Sequence, residues 1–146
     1  MLKEGETIPD HIELLDQDGV VRKLADFKGK RTVYYTYPKD STPGCTIEAK
    51  HFRDSIKEYE KANIRIIGIS ADSVTSHKKF AGKHNLPFIL LSDPQKTFLN
   101  ALGSIEGGRI RRRTWLADEN GVVEKVYEKV SASKHNEELC EYFTLK

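Results

Sequence analysis

At 146 residues, the chain has room for one compact domain with its own core and too little length for two large ones. Its 24 Lys and Arg against 22 Asp and Glu leave a net charge of +2, which excludes bulk electrostatic attraction to nucleic acid or an anionic membrane as its main mode of action. With 38% hydrophobic and 32% charged residues it should fold as a soluble globular unit, and two cysteines are too few for a secreted disulfide scaffold.

The opening segment MLKEGETIPD has no apolar stretch of the kind an export signal needs, and no run approaches transmembrane length. A cytoplasmic protein with reduced thiols is therefore expected. Cys45 and Cys140 are spaced unlike any zinc motif, and the five histidines, His11, His51, His77, His84 and His135, form no ligand cluster in sequence. They read as surface or capping groups, and neither a metal nor an organic cofactor is expected.

In chain order, Ile12 to Leu24 reads as a hairpin or turn around Asp16, Asp18 and Gly19. Lys28 to Lys30 then form a loop. Thr32 to Tyr37, TVYYTY, is a β-branched and aromatic run ended by Pro38, the pattern of a strand buried on both faces. The KDSTPG segment, Lys39 to Gly44, breaks that strand, and a helix is expected from Cys45 to Glu60, with Cys45, Ala49, Phe52, Ile56 and Tyr59 on one face.

Ile64 to Ser70 predicts a second strand, followed by a helix capped by Asp72 or Ser73 and running to about Lys83. Phe88 to Leu91 predicts a third strand, Pro94 to Leu102 a short helix, and Gly103 to Gly108 a flexible connection. Thr114 to Ala117 and Val122 to Val126 flank an Asn-Gly turn and predict a hairpin, after which Ser133 to Phe143 reads as the last helix. The alternation implies an α/β domain spanning residues 1–146, a central mixed sheet flanked by helices.

The segment with the most chemical content is Pro38-Lys39-Asp40-Ser41-Thr42-Pro43-Gly44-Cys45. It sets a thiol where a loop becomes a helix, and free N–H groups with the helix dipole stabilise a thiolate there. Gly44 permits close backbone approach, Pro43 suits a helix start, and Thr42 offers a hydroxyl to sulfur or to an incoming oxygen. Taken alone, these features fit a reactive thiolate and a buried inert cysteine about equally, and Thr42 serves as well as a simple helix cap.

The spacing of Pro38, Thr42 and Cys45 resembles the P-x-x-x-T-x-x-C signature of peroxiredoxins. The longer run YPKDSTPGCTIEAKHFRD, Tyr37 to Asp54, with ADS at Ala71 to Ser73, LPF at Leu86 to Phe88 and LLSD at Leu90 to Asp93, is similar to the peroxiredoxin Q family, also called bacterioferritin comigratory proteins. The resemblance implies a thioredoxin-like fold with peroxiredoxin additions and a thiol-dependent hydroperoxide reductase. By it, Cys45 is the peroxidatic cysteine, Thr42 its hydroxyl partner, Pro38 the residue that shapes and shields the pocket, and Glu48 a glutamate near the catalytic network.

The resemblance also assigns an arginine before the late hairpin, matched here to Arg113 in RTWLAD. A guanidinium suits the role because it stays charged and offers several directed donors. The remainder of RIRRR, Arg109 to Arg113, reads as a solvated basic run, and without aromatic readers it carries no nucleic-acid role.

Many members of the resembled family place a resolving cysteine five positions after the peroxidatic one, where this chain has Lys50, and Ser73 to Lys83 on the following helix also lacks a cysteine. Cys140 is the remaining internal candidate, although beside Leu139 and Phe143 it reads first as a packed, inert residue. The expected cycle is therefore one-cysteine chemistry with an external thiol, thioredoxin or another donor, attacking a sulfenic acid. The chain is expected to act as a monomer or weak homodimer. The competing reading is a peroxide-responsive redox sensor or interaction protein.

Overall fold

The computed structural model describes residues 1–145. β1 (Glu13–Leu15) and β2 (Val21–Lys23) form the early hairpin, with a 3-10 turn at Leu24–Phe27. β3 (Arg31–Thr36), α1 (Pro43–Asp54), α2 (Ile56–Lys61), β4 (Ile64–Ser70), α3 (Val74–His84), β5 (Ile89–Ser92) and α4 (Thr97–Leu102) follow. The chain continues through β6 (Ile105–Glu106), β7 (Arg109–Ile110), β8 (Arg113–Ala117), β9 (Val123–Tyr127) and α5 (His135–Tyr142).

Seven strands make one mixed sheet in the order β2-β1-β5-β4-β3-β8-β9. β3, β4 and β5 run parallel, with β8 antiparallel to β3 and β9 antiparallel to β8. The parallel strands are apolar on both faces, as expected where helices cover both sides.

Side chains alternate across a strand, and this splits the core into two. Val33, Tyr35, Tyr37, Ile66, Leu90 and Leu116 pack with Cys45, Ala49 and Phe52 of α1, Phe80 of α3 and Leu139 of α5. Tyr34, Ile67, Ile69, Leu91 and Trp115 pack on the other face with Phe98, Leu99 and Leu102 of α4. Gly68 interrupts the apolar run of β4 because Tyr35 needs the space: a Cβ there would stand 2.9 Å from the Tyr35 hydroxyl and from a Leu90 methyl.

The expected helix from Cys45 to Glu60 is two helices that begin earlier. Pro43 occupies the first helical turn, and the chain bends at Ser55 (φ −103°, ψ 6°) before α2. The connection expected at Gly103 to Gly108 is partly ordered as the β6–β7 hairpin, whose turn uses positive φ at Gly107 (61°) and Gly108 (75°), the pair of left-handed positions a two-residue hairpin favours. The late hairpin turns where Asn-Gly predicts it, with Asp118 Oδ1 accepting from the N–H groups of Asn120 and Val122.

Among the described residues no helix is long and apolar enough to cross a membrane. Two histidines expected at the surface are core residues: His77 is 0% and His135 1% exposed.

Candidate active site

β3 delivers the chain to the loop 37–42, and α1 takes it back over the sheet, placing Cys45 in the first turn of that helix with 2% exposure. Thr42 stands at the N-cap position with extended backbone (φ −80°, ψ 153°), yet its side chain makes no capping bond. Its hydroxyl instead donates to the Lys39 carbonyl at 2.8 Å, which closes the loop on itself. With its proton so engaged, the Thr42 oxygen keeps lone pairs that can accept from an incoming O–H. Pro38 and Pro43 both stand exposed at the surface of this loop, Pro43 in the helix-opening position that its missing N–H suits.

A buried polar network fixes the same loop from below. Asp40, 6% exposed, accepts from the Tyr37 hydroxyl at 2.6 Å and the Ser76 hydroxyl at 2.8 Å, and its Oδ2 lies 2.7 Å from Nδ1 of His77. The Asp40 N–H donates to Asp72, which also accepts from Ser70. Burial opposes the Asp40 charge, but the hydrogen bonds from His77, Tyr37 and Ser76 outweigh it and hold the carboxyl below its usual range. Nε2 of His77 faces the Leu91 carbonyl at 3.1 Å, so the imidazole bridges the loop to β5. Asp40, Asp72 and His77 have a metal-like grouping, with ligand atoms within 4.8 Å of one another, but these atoms are hydrogen-bonded within the network just described.

The arginine at the sulfur is Arg112. Its Nη2 lies 3.3 Å from Cys45 Sγ, and its Nη1 donates to Glu48 Oε1 at 2.7 Å. Glu48, one turn further along α1, is 1% exposed, and burial pushes its carboxyl up to about 7 against the counter-pull of Arg112. Its second oxygen has no hydrogen-bond partner among the described residues, which makes Oε2 the natural seat for a proton. Burial works against the charge on Arg112 as well, but Glu48 and Cys45 more than compensate and keep it firmly positive.

Arg113, matched to this role from sequence, does not reach it. Leu116 faces the α1 side of the sheet and Trp115 the α4 side, and the same alternation carried back along the strand sends Arg112 to α1 and Arg113 to α4. The Arg113 guanidinium donates to the Gly103 carbonyl at 2.8 Å, to Glu106 at 2.6 Å and to the Glu128 carbonyl at 3.4 Å. The basic run is accordingly not one solvated face: Arg109 and Arg111 are exposed, whereas Arg113 is buried. The two arginines differ by one position in register, and the even–odd pattern of the following strand is the sequence signal that separates them.

A family model, AhpC/TSA, matches residues 5–126 of this sequence. The chain belongs to the AhpC/TSA family. Within it the chain is similar to peroxiredoxin Q and bcp proteins. The chain is 45% identical over 124 residues to the chloroplastic peroxiredoxin Q of Triticum aestivum, covering 83% of this chain and 57% of that protein. It is 43% identical over 130 residues to a Coxiella burnetii protein named as peroxiredoxin bcp, covering 84% of this chain and 86% of that one. It thus spans 57% to 64% of the length of chloroplast relatives from Triticum aestivum and Gentiana triflora.

Among solved structures, a Cys→Ser mutant of Xylella fastidiosa PrxQ superposes on this chain with a TM-score of 0.95 at 27% identity, covering 99% of this chain and 96% of that one. The bacterioferritin comigratory protein of Xanthomonas campestris superposes with a TM-score of 0.91 at 31% identity, covering 97% and 98%. The thioredoxin-like peroxiredoxin fold expected from the motif is therefore the fold of this chain.

Cys140 lies at the opposite end of α1 from Cys45. Its Sγ approaches the Tyr59 hydroxyl at 3.7 Å and Asn136 Oδ1 at 3.8 Å, and Asn136 in turn donates to Ser55, the residue that ends α1. From Cys45 to Ser55 the helix advances about 15 Å, whereas a disulfide requires Cα atoms within about 7 Å. The two thiols are consequently not poised to pair.

Proposed function

We propose that the protein is a thiol-dependent hydroperoxide reductase whose reacting group is Cys45. The observation that carries this reading is the contact of Arg112 with both Cys45 Sγ and Glu48, at the first turn of a helix and with the sulfur almost wholly buried. The likeness to peroxiredoxin Q proteins supports it, as does the alkyl peroxide reduction activity of the similar Xanthomonas campestris protein.

The Cys45 thiolate attacks the terminal oxygen of a hydroperoxide, forming an S–O bond as the O–O bond breaks. The products are a cysteine sulfenic acid and an alkoxide or hydroxide, which takes up a proton to leave as alcohol or water. Charge moves from sulfur to the leaving oxygen during this step. Arg112 is placed to follow it, because one guanidinium offers donors to both ends of that path. Thr42 orients the peroxide by accepting its O–H, and Glu48 holds the guanidinium plane. No metal or organic cofactor enters the step.

Resolution is one-cysteine chemistry. Position 50 is Lys, residues 73 to 83 contain no cysteine, and Cys140 lies near the far end of α1. One external thiol attacks the sulfenic acid and releases water, and a second thiol attacks the mixed disulfide and restores Cys45. Thioredoxin or a small thiol supplies the electrons, the setting is cytoplasmic, and the working unit is a monomer or weak dimer. Consumption of hydroperoxide with a thiol donor tests this reading. The activity should vanish in Cys45→Ser, and full turnover by that variant would refute it.

A further inference from the structure

Arg112 precedes β8, and the backbone on either side of it is held from the face of the sheet opposite its own side chain. Thr36, the last residue of β3, and Ser104, just after α4, are both 0% exposed, and their hydroxyls lie 2.5 Å apart. Each is also within reach of the Arg111 carbonyl, Thr36 at 2.7 Å and Ser104 at 2.9 Å. One hydroxyl donates to the other and the second donates to that carbonyl, so either arrangement pins Arg111. The Arg111 N–H donates to the Ser104 carbonyl at 2.7 Å, and the Arg113 N–H donates to Thr36 Oγ1 at 3.3 Å. The Arg113 guanidinium closes the frame on the Gly103 carbonyl, next to Ser104.

These two hydroxyls sit on the α4 face of the sheet, beside an otherwise apolar cluster of Phe98, Leu99, Leu102 and Trp115. A buried hydroxyl is costly unless its bonds are made, and here they are made to the two residues flanking Arg112. The geometry points to Thr36 and Ser104 as positioning residues that set the guanidinium of Arg112 against Cys45 from the far side of the sheet. The inference rests on the reading that Arg112 acts on the Cys45 sulfur.

Thr36→Val and Ser104→Ala test it, with two readouts on fully reduced protein: the rate of Cys45 oxidation by hydrogen peroxide, and the rate of Cys45 alkylation by iodoacetamide at pH 7. A misplacement of about 1 Å can cost up to about a hundredfold in rate, so a loss of about tenfold in both readouts is expected, restored by Thr36→Ser. In an Arg112→Ala background the same substitutions should change nothing further, because the group they position is gone. Wild-type rates in a folded Thr36→Val or Ser104→Ala protein would overturn the inference, and so would equal losses in both backgrounds. Should Thr36→Val fail to fold, Ser104→Ala, which removes a single oxygen, decides the matter alone. If wild-type Cys45 resists peroxide, the peroxidase reading fails, and the alkylation comparison still decides the positioning role.

Discussion

Arg112 fills the space that Gly44 leaves open. A Cβ placed on Gly44 would stand 3.1 Å from Nη2 of Arg112, the same nitrogen that lies 3.3 Å from Cys45 Sγ. The glycine before the cysteine thus admits the guanidinium to the sulfur. Gly44 lies within α1 in ordinary helical backbone, so its value there is its missing side chain rather than its conformational freedom.

Gly44→Ala should therefore separate stability from reactivity. Alanine favours the helix by up to about 1 kcal/mol over glycine, so thermal stability should hold or rise slightly. The guanidinium must retreat by a few tenths of an ångström, and the rate of Cys45 with peroxide should fall by about tenfold. Stopped-flow oxidation beside a thermal melt checks both halves.

The neighbouring arginines should give opposite phenotypes. Arg112→Lys keeps the charge but cannot reach sulfur and Glu48 together, and a loss of about tenfold or more in peroxide rate with little change in melting temperature is expected. Arg113→Ala abandons the Gly103 and Glu128 carbonyls and leaves a space beside β8, and it should lower stability by about 1–3 kcal/mol. Urea unfolding and peroxide kinetics on the two variants distinguish the roles.

Glu48 should make stability fall as pH rises. Its carboxyl lies near 4.5 when unfolded and near 7 when buried beside Arg112, so between these values the folded state holds the extra proton. Stability then declines from about pH 4.5 to about pH 7 and levels above that, by on the order of 3 kcal/mol in total. Glu48→Gln should flatten this slope, and urea melts across pH 4 to 8 would show it.

Cys140→Ser should leave peroxide turnover with a small-molecule thiol unchanged, because its thiol faces Tyr59 and Asn136 near the end of α1 remote from Cys45. Peptide mapping after peroxide treatment should find no Cys45–Cys140 link.

The strands and helices that carry the site were legible because their patterns are local. TVYYTY favours a buried strand, the KDSTPG run cannot continue it, and Asn-Gly marks the late turn. What was hidden depended on partners distant in sequence. The break at Ser55 follows a stretch whose apolar spacing suits one long helix, and the bend seats Tyr59 against Phe52 and Phe143. His77 reads as a surface residue among lysines, yet it is buried because Asp40, 37 positions earlier, supplies its partner. Arg112 and Arg113 are indistinguishable by type, and only the alternation fixed by Trp115 and Leu116 says which one meets α1. The Thr36–Ser104 pair spans 68 positions and has no local signature at all.

The most direct measurement is intact-protein mass spectrometry of fully reduced protein after substoichiometric hydroperoxide and no reductant, with the modified residue mapped. Rapid gain of one oxygen at Cys45, with Cys140 untouched, is the expected result. A Cys45 that stays unmodified would contradict the assignment of the protein as a thiol peroxidase.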